Sequence, residues 1–413
     1  MSTPKVRVPG RRAALLLAGA SALSVAIGCK NEAPVATGAP PAESTATPGQ
    51  AVAAVADSPT SDGPAIVSGP GYLPACFAPW DKTTRYLKWA PHTPPFRVAL
   101  VNGYVGNAWR IQMVKTAKAF AKDAAIAPLL KEFKVVSTGT DIAAQLGAIE
   151  DFINQGFDAI ITIAVSPEGF DRVIRQANKK SVILVPFDGT LDNDKLMQVN
   201  EDQTATGRMW GEFLDRQLKG KGKILEVRGL QGNSTERDRH QAFRAVLDAP
   251  GKKYEVVEVV GNWDDGKAQK AVADGLAVHH HFDAMMVQGG STGALRALLD
   301  AGHRPIPVAI EAENGARKLV AQYRSKGMKA LSLGQSPGLS AIAMKAAIEG
   351  LQGKVLPQKI SVPIPGADDA SLKDGENYFS KLSDNFFTPN EFPPCGVNIQ
   401  GMKIMSESEV DLK

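Results

Sequence analysis

From residue 96 to residue 351, short apolar runs rich in β-branched residues alternate with stretches whose apolar positions recur every three or four residues. The runs predict strands at 97–101, 133–137, 159–164, 182–187, 223–227, 254–260, 284–288, 307–310 and 329–333. The stretches between them predict helices over 109–122, 141–155, 204–218, 235–247, 267–278, 292–299, 315–324 and 340–351. Strands separated by helices of this length form βαβ units, and so parallel sheets with right-handed crossovers. Nine strands over ~260 residues exceed one comfortable open sheet, so the pattern predicts an α/β chain with two doubly wound parallel-sheet lobes.

The first residues read differently. Lys5, Arg7, Arg11 and Arg12 precede an apolar run from Ala13 to Ile27, which ends at Gly28-Cys29. About 15 apolar residues fall short of the ~20 a spanning helix needs, and match the h-region of a signal peptide. With Cys after Gly28, the segment resembles a bacterial lipoprotein signal. Residues 1–28 are then a signal peptide, and Cys29 an acylated, membrane-anchored N-terminus. Cleavage without lipid is the alternative, and both readings export the protein to the periplasm or cell envelope. Residues 29–70, dominated by Ala, Pro, Ser, Thr and Gly, read as a disordered tether.

Composition narrows the classes further. Against 43 Asp and Glu stand 47 Lys and Arg, a formal net charge of +4 that leaves no electrostatic footprint for nucleic acid. Three cysteines are too few for a disulfide scaffold or a cysteine-rich zinc site. Cys76 and Cys395 flank the body of an exported chain, where a disulfide is permitted; two free thiols are the alternative.

In open parallel sheets ligands bind beyond the carboxyl ends of the strands. The residues there include Asn107, Trp109, Arg110, Asp188, Trp263, Glu311, Glu313 and Gln335, with no His and no Cys. Gly289-Gly290-Ser291-Thr292-Gly293 has the form of a nucleophile elbow, but the one later His, His303, follows the next helix and belongs to the opposite pole. The stretch 261–268 falls one residue short of a P-loop: Ala268 replaces the Mg²⁺-binding hydroxyl, and Asp264 and Asp265 would repel phosphate. Successive residues His279, His280 and His281 lack chelating spacing and read as a solvated helix end, so no metal site is expected. Asp188 and Glu313 keep open a glycosidase alternative beside the Ser hydrolase.

Taken in order, the strand ends resemble those of the type I periplasmic sugar-binding proteins of ABC importers, the ribose-binding-protein-like group, over about 250 residues. The carrying residues are Asn107-Ala108-Trp109, Asp188 ending Val185-Pro186-Phe187, Arg239 within Ser234 to Phe243, Trp263 in Gly261-Asn262-Trp263, Glu313, and Gln335 in Gly334-Gln335-Ser336. The resemblance implies a hinged, two-lobed binding protein with no cofactor and no catalysis. Its ligand is a monosaccharide or small sugar derivative, its partners are the importer's permease subunits, and it works as a monomer. The implied ligand-binding set is Asn107, Trp109, Arg110, Asp188, Arg239, Trp263, Glu313 and Gln335. Trp109 and Trp263 would face the C–H surface of the ring, and the polar groups would pair its hydroxyls. Arg110, Gly189 and Gly289 depart from the family's aromatic, Arg and Asn, which implies a sugar other than ribose.

The implied lobes are 71–205 with 336–365, and 206–335 with 366–413, with crossings near Thr204, near Gln335 and in the C-terminal region. A chemoreceptor role on the same fold, or a non-sugar ligand, stays open at this stage.

Overall fold

A computed structural model describes residues 63–407, Thr190 excepted. The signal segment, Cys29 and the tether up to residue 62 lie outside the described residues. The tether as drawn from composition runs too far: Ala65–Val67 is a strand, paired antiparallel with Tyr86–Lys88. Ile66 and Val67 are the bulky β-branched pair that the preceding segment lacks.

Two sheets form the body. The first runs in the order Leu130–Ser137, Phe96–Asn102, Ala159–Thr162, Ile183–Pro186, all parallel. The second runs in the order Lys253–Val260, Lys221–Arg228, Ala284–Val287, Val308–Glu311, Ala330–Leu333, all parallel, and closes with antiparallel Gly366–Asp368. Central strands such as Ala-Ile-Ile-Thr at 159–162 and Ala-Met-Met-Val at 284–287 are buried end to end. That follows from helices covering both faces of a parallel sheet.

Each sheet therefore has two cores. On the first, helices Ala108–Ala121 and Leu339–Leu351 cover one face, and Ile142–Asn154 and Phe170–Lys179 the other. On the second, Gln203–Leu218 and Ser234–Leu247 pack around Trp210 and Phe243. The opposite face carries Asp265–His279, Ser291–Asp300 and Asn314–Tyr323. Strand-to-helix turns end in polar caps: Asn107, Asp141, Asp202, Asn233 and Asp264 each accept an N–H of the helix they open.

Between the sheets the chain crosses beside a small three-stranded sheet, in which Gln198–Glu201 pairs parallel with Lys359–Val362 and the latter with Ala78–Pro79. The C-terminal part departs from the sequence expectation, which placed 366–413 whole with the second lobe. Gly366–Asp368 joins the second sheet and Leu372 its core, but Phe386, Phe387, Phe392, Val397, Ile399 and Ile404 pack into the first core. Cys76 and Cys395, disulfide-bonded with their Cα atoms 4.7 Å apart, lie in that same first core. A string of Phe and Ile separated by Pro and Gly carries no helical or strand period, so its destination was not legible.

Candidate functional site

The carboxyl ends of both sheets open onto one cleft. Its first-lobe wall comes from the loops after the strands at 96–102, 159–162 and 183–186, and its second-lobe wall from those after 221–228, 253–260, 284–287 and 308–311. Seven of the eight expected residues line it: Asn107, Trp109, Arg110, Asp188, Trp263, Glu313 and Gln335. What each side chain can offer differs from its residue type.

Trp109 is 7% exposed, and its indole N–H donates to the backbone oxygen of Gln335 at 2.8 Å, linking two strand ends. Its ring therefore serves as both core and wall. Trp263 sits at φ 55°, after Asn262 at φ 53°, two successive left-handed residues that turn the indole back over the sheet. Glycine makes this possible: a Cβ on Gly229 would lie 2.1 Å from Trp263 Nε1, and one on Gly289 2.7 Å from Trp263 Cδ1. The lack of a side chain at Gly289 thus accommodates the aromatic ring. Trp263 Nε1 itself is buried with no partner.

Arg110 is buried; its Nη1 donates to Asn102 Oδ1 at 2.8 Å and its guanidinium lies 5.3 Å from the Tyr104 ring centre. Asn107 spends its amide oxygen on the N–H of Arg110 at 2.9 Å, capping the helix, and its amide N–H₂ donates to the Tyr104 hydroxyl at 3.4 Å. Asp188 occupies a left-handed position at φ 61°. Burial pushes its carboxyl up to about 7, against the opposing pull of Arg110 and Arg239, and its Oδ1 is buried without a partner.

Two of the expected residues spend their polar groups on protein partners. Arg239 lies behind the cleft at 1% exposure. Its guanidinium donates to Gln203 Oε1 (2.7 Å), Glu311 Oε1 (2.6 Å), Gln288 O (3.2 Å) and Gln335 Oε1 (2.7 Å). Helix 234–247 packs so closely on 203–218 that a Cβ on Gly207 would meet the Arg239 carbonyl oxygen at 2.1 Å, so its arginine is drawn beneath the wall. Arg239 holds Glu311 and Gln335 in place and does not itself line the cleft. Glu313 reaches the cleft wall, but its oxygens are engaged by the N–H groups of Gly290 (2.7 Å), Ser291 (2.8 Å) and Thr292 (2.8 Å) and the Thr292 hydroxyl (2.9 Å). It fastens one strand end to the N-terminus of helix 291–300, and burial with the neighbouring Asp265 carboxylate drives its pKa upward.

Glu311, Phe387 and Leu191 line the cleft and were not singled out from the sequence as ligand groups. Glu311 was visible as the last strand residue two positions before Glu313; nothing marked which of the two would be held by Arg239 and which by a helix N-terminus. Ser291 is fully buried and its Oγ accepts the N–H of Glu311 at 3.2 Å, so the elbow-like motif presents no exposed nucleophile. His303 lies beyond the far end of helix 291–300, against the N–H of Phe282.

Gln335 Nε2 is likewise buried and unpartnered. Among the described residues, three that line the cleft each carry a buried polar atom without a protein partner: the acceptor Asp188 Oδ1 and the donors Trp263 Nε1 and Gln335 Nε2. Each such group costs about 1–3 kcal/mol unless a bound molecule pairs it.

Comparison with known proteins supplies the family context. Residues 98–355 match the family model described as periplasmic binding protein domain. A D-ribose/D-allose-binding protein of Pseudomonas aeruginosa is 26% identical over 219 residues, covering 50% of this chain and 67% of the relative. The ribose import binding protein of Haemophilus influenzae is 25% identical over 235 residues, 56% of this chain and 78% of the relative. Among solved structures, an ABC transporter solute binding protein from Thermobispora bispora superposes with a TM-score of 0.61 at 25% identity, covering 71% of this chain and 90% of that one.

Proposed function

Because the chain belongs to the periplasmic binding protein domain family, we propose that it is an exported receptor that captures a small carbohydrate between its lobes and delivers it to an ABC importer. The observation that carries this reading is a cleft walled by two indoles and lined by Asp188, Trp263 and Gln335, each with a buried polar atom that no protein group pairs. A pyranose or furanose has hydroxyls that donate and accept around its rim and C–H faces that suit an aromatic ring. Arg239 supports the fit by fixing the Gln335 oxygen and thereby aiming its N–H₂ group.

Residues 71–205 with 336–365 act as one lobe and 206–335 as the other, closing about crossings near Glu201, Gln335 and Val362. The closed form is what the permease subunits recognise, and the receptor works as a monomer. Lipid on Cys29 holds it at the membrane, with the Ala- and Pro-rich segment as tether. The family's exported character and the basic, apolar start of the chain support that placement.

A thermal-shift panel of D-ribose, D-allose, L-arabinose, D-galactose, xylitol and myo-inositol tests the reading. A sugar at about 100 times its Kd adds about 2.7 kcal/mol of apparent stability, a readily measured rise in melting temperature. Silence across the sugars, with a response to amino acids or nucleosides, overturns it.

A further inference from the structure

The family match ends at residue 355, yet one wall of the cleft comes from beyond it. Residues 384–390 run across both lobes. Toward the second lobe, Asn314 N donates to Phe386 O (2.7 Å), Gly315 N to Asp384 O (2.9 Å) and Arg317 Nη1 to Thr388 Oγ1 (2.6 Å), while Thr388 N donates to Ala312 O (3.0 Å). Toward the first, Gln112 grips Phe387 at both backbone groups: its Oε1 accepts the Phe387 N–H at 2.8 Å, and its Nε2 donates to Phe387 O at 3.0 Å. Ser336 Oγ donates to Pro389 O at 2.5 Å, and the Cys76–Cys395 disulfide fastens the segment shortly after. The Phe387 ring, 6% exposed, is thus set in place before any ligand arrives, and it lines the same cleft as Trp109 and Trp263.

We propose that Phe387 is a third apolar wall of the ligand site and a specificity-determining residue, selecting sugars that turn a C–H or deoxygenated edge toward it. The inference rests on the carbohydrate-receptor reading above. A phenyl ring offers no polar atom, so a hydroxyl pressed against it loses its water without gaining a partner, a penalty equivalent to about tenfold or more in Kd. A C–H edge in the same place gains aromatic contact without that penalty.

The test titrates wild type, Phe387→Ala and Phe387→Leu calorimetrically with the sugar panel, extended by D-fucose as the 6-deoxy counterpart of D-galactose. The expected result is an about tenfold weaker Kd for the best sugar in Phe387→Ala, partial recovery in Phe387→Leu, and a narrowed gap between deoxy and hydroxylated partners. Unchanged affinities in both variants overturn the inference while leaving the receptor reading intact. A wild type that binds no sugar overturns both. Should Phe387→Ala fail to fold, hydrogen exchange on the wild-type protein decides: sugar is expected to slow exchange at 384–390, and no change there overturns the inference.

Discussion

Asp188 carries two opposed pH dependences. Burial raises its carboxyl from 3.8 to about 7, so between those values the folded chain holds a proton that the unfolded chain has released. This stabilising contribution is complete below about pH 4 and is lost as pH rises through 7. Glu201, raised to about 8 chiefly by burial, acts in the same direction. Stability of the ligand-free protein is therefore expected to fall from pH 5 to pH 8, and Asp188→Asn to flatten that slope in chemical denaturation. Sugar affinity should run the other way, rising through pH 7 as an ionised Oδ1 becomes the better acceptor, and the same variant should remove the rise in calorimetric titrations. A wild-type affinity level across that range would show that Asp188 takes no hydroxyl. Trp263 offers a second test at this scale. Gly229→Ala places a methyl 2.1 Å from the indole nitrogen, so the ring must leave its bed. A loss of about 1–3 kcal/mol, a red-shifted tryptophan emission and a weakened sugar response are expected together. Both residues were legible because each follows a strand in a parallel pattern. What their atoms are free to do was not, since Asn107, Arg239 and Glu313 have the same residue-type credentials and spend them on a cap, a buried fork and a helix N-terminus.

At the scale of elements, alternation of strand and helix placed every strand of both main sheets from 96 to 333: the central strands are continuous apolar runs buried on both faces, and the edge strand Lys253–Val260 mixes polar and apolar residues. Sequence reading fails where an element's role depends on a partner distant along the chain. Helix 291–300 opens at Gly289-Gly290-Ser291, which looks like a catalytic elbow in isolation, but the Glu313 carboxylate from the next βα turn caps its first N–H groups. The distinction is measurable. Glu313→Gln replaces one acceptor oxygen with an N–H₂ group facing N–H donors, and should cost about 1–3 kcal/mol of stability by denaturant unfolding. Any sugar affinity lost would then accompany displacement of helix 291–300. A variant of wild-type stability with abolished binding would instead make Glu313 a direct ligand group.

Across the whole molecule, the C-terminal segment makes a further passage between the lobes beyond those implied by the resemblance, and the disulfide decides how firmly it is held. From Gly366–Asp368 in the second sheet the chain returns to the first core through Phe386, Phe392 and Ile404, and Cys395 is bonded to Cys76, 319 residues earlier. Closing so long a loop limits the unfolded chain, with a contribution of up to ~5 kcal/mol in the chain-entropy model. In the folded state the bond joins two segments that already belong to one core, so its removal leaves the two main sheets unbroken. Cys76→Ser with Cys395→Ser is therefore expected to lower the melting temperature markedly while leaving the folded circular dichroism spectrum unchanged. Exchange should rise selectively at 384–405, because those residues rely on the bond, on scattered apolar contacts and on one two-residue pairing, Glu391–Phe392 with Val397–Asn398, rather than on a long sheet ladder. Their grip on the second lobe, through Asn314, Gly315 and Arg317, should loosen with it, allowing the lobes wider excursions. Small-angle scattering would register that as a larger radius of gyration in the sugar-free double variant, reversed on saturation with ligand. Equal radii for wild type and variant would mean that the hinge strands alone set the opening, and that the segment follows the lobes instead of restraining them.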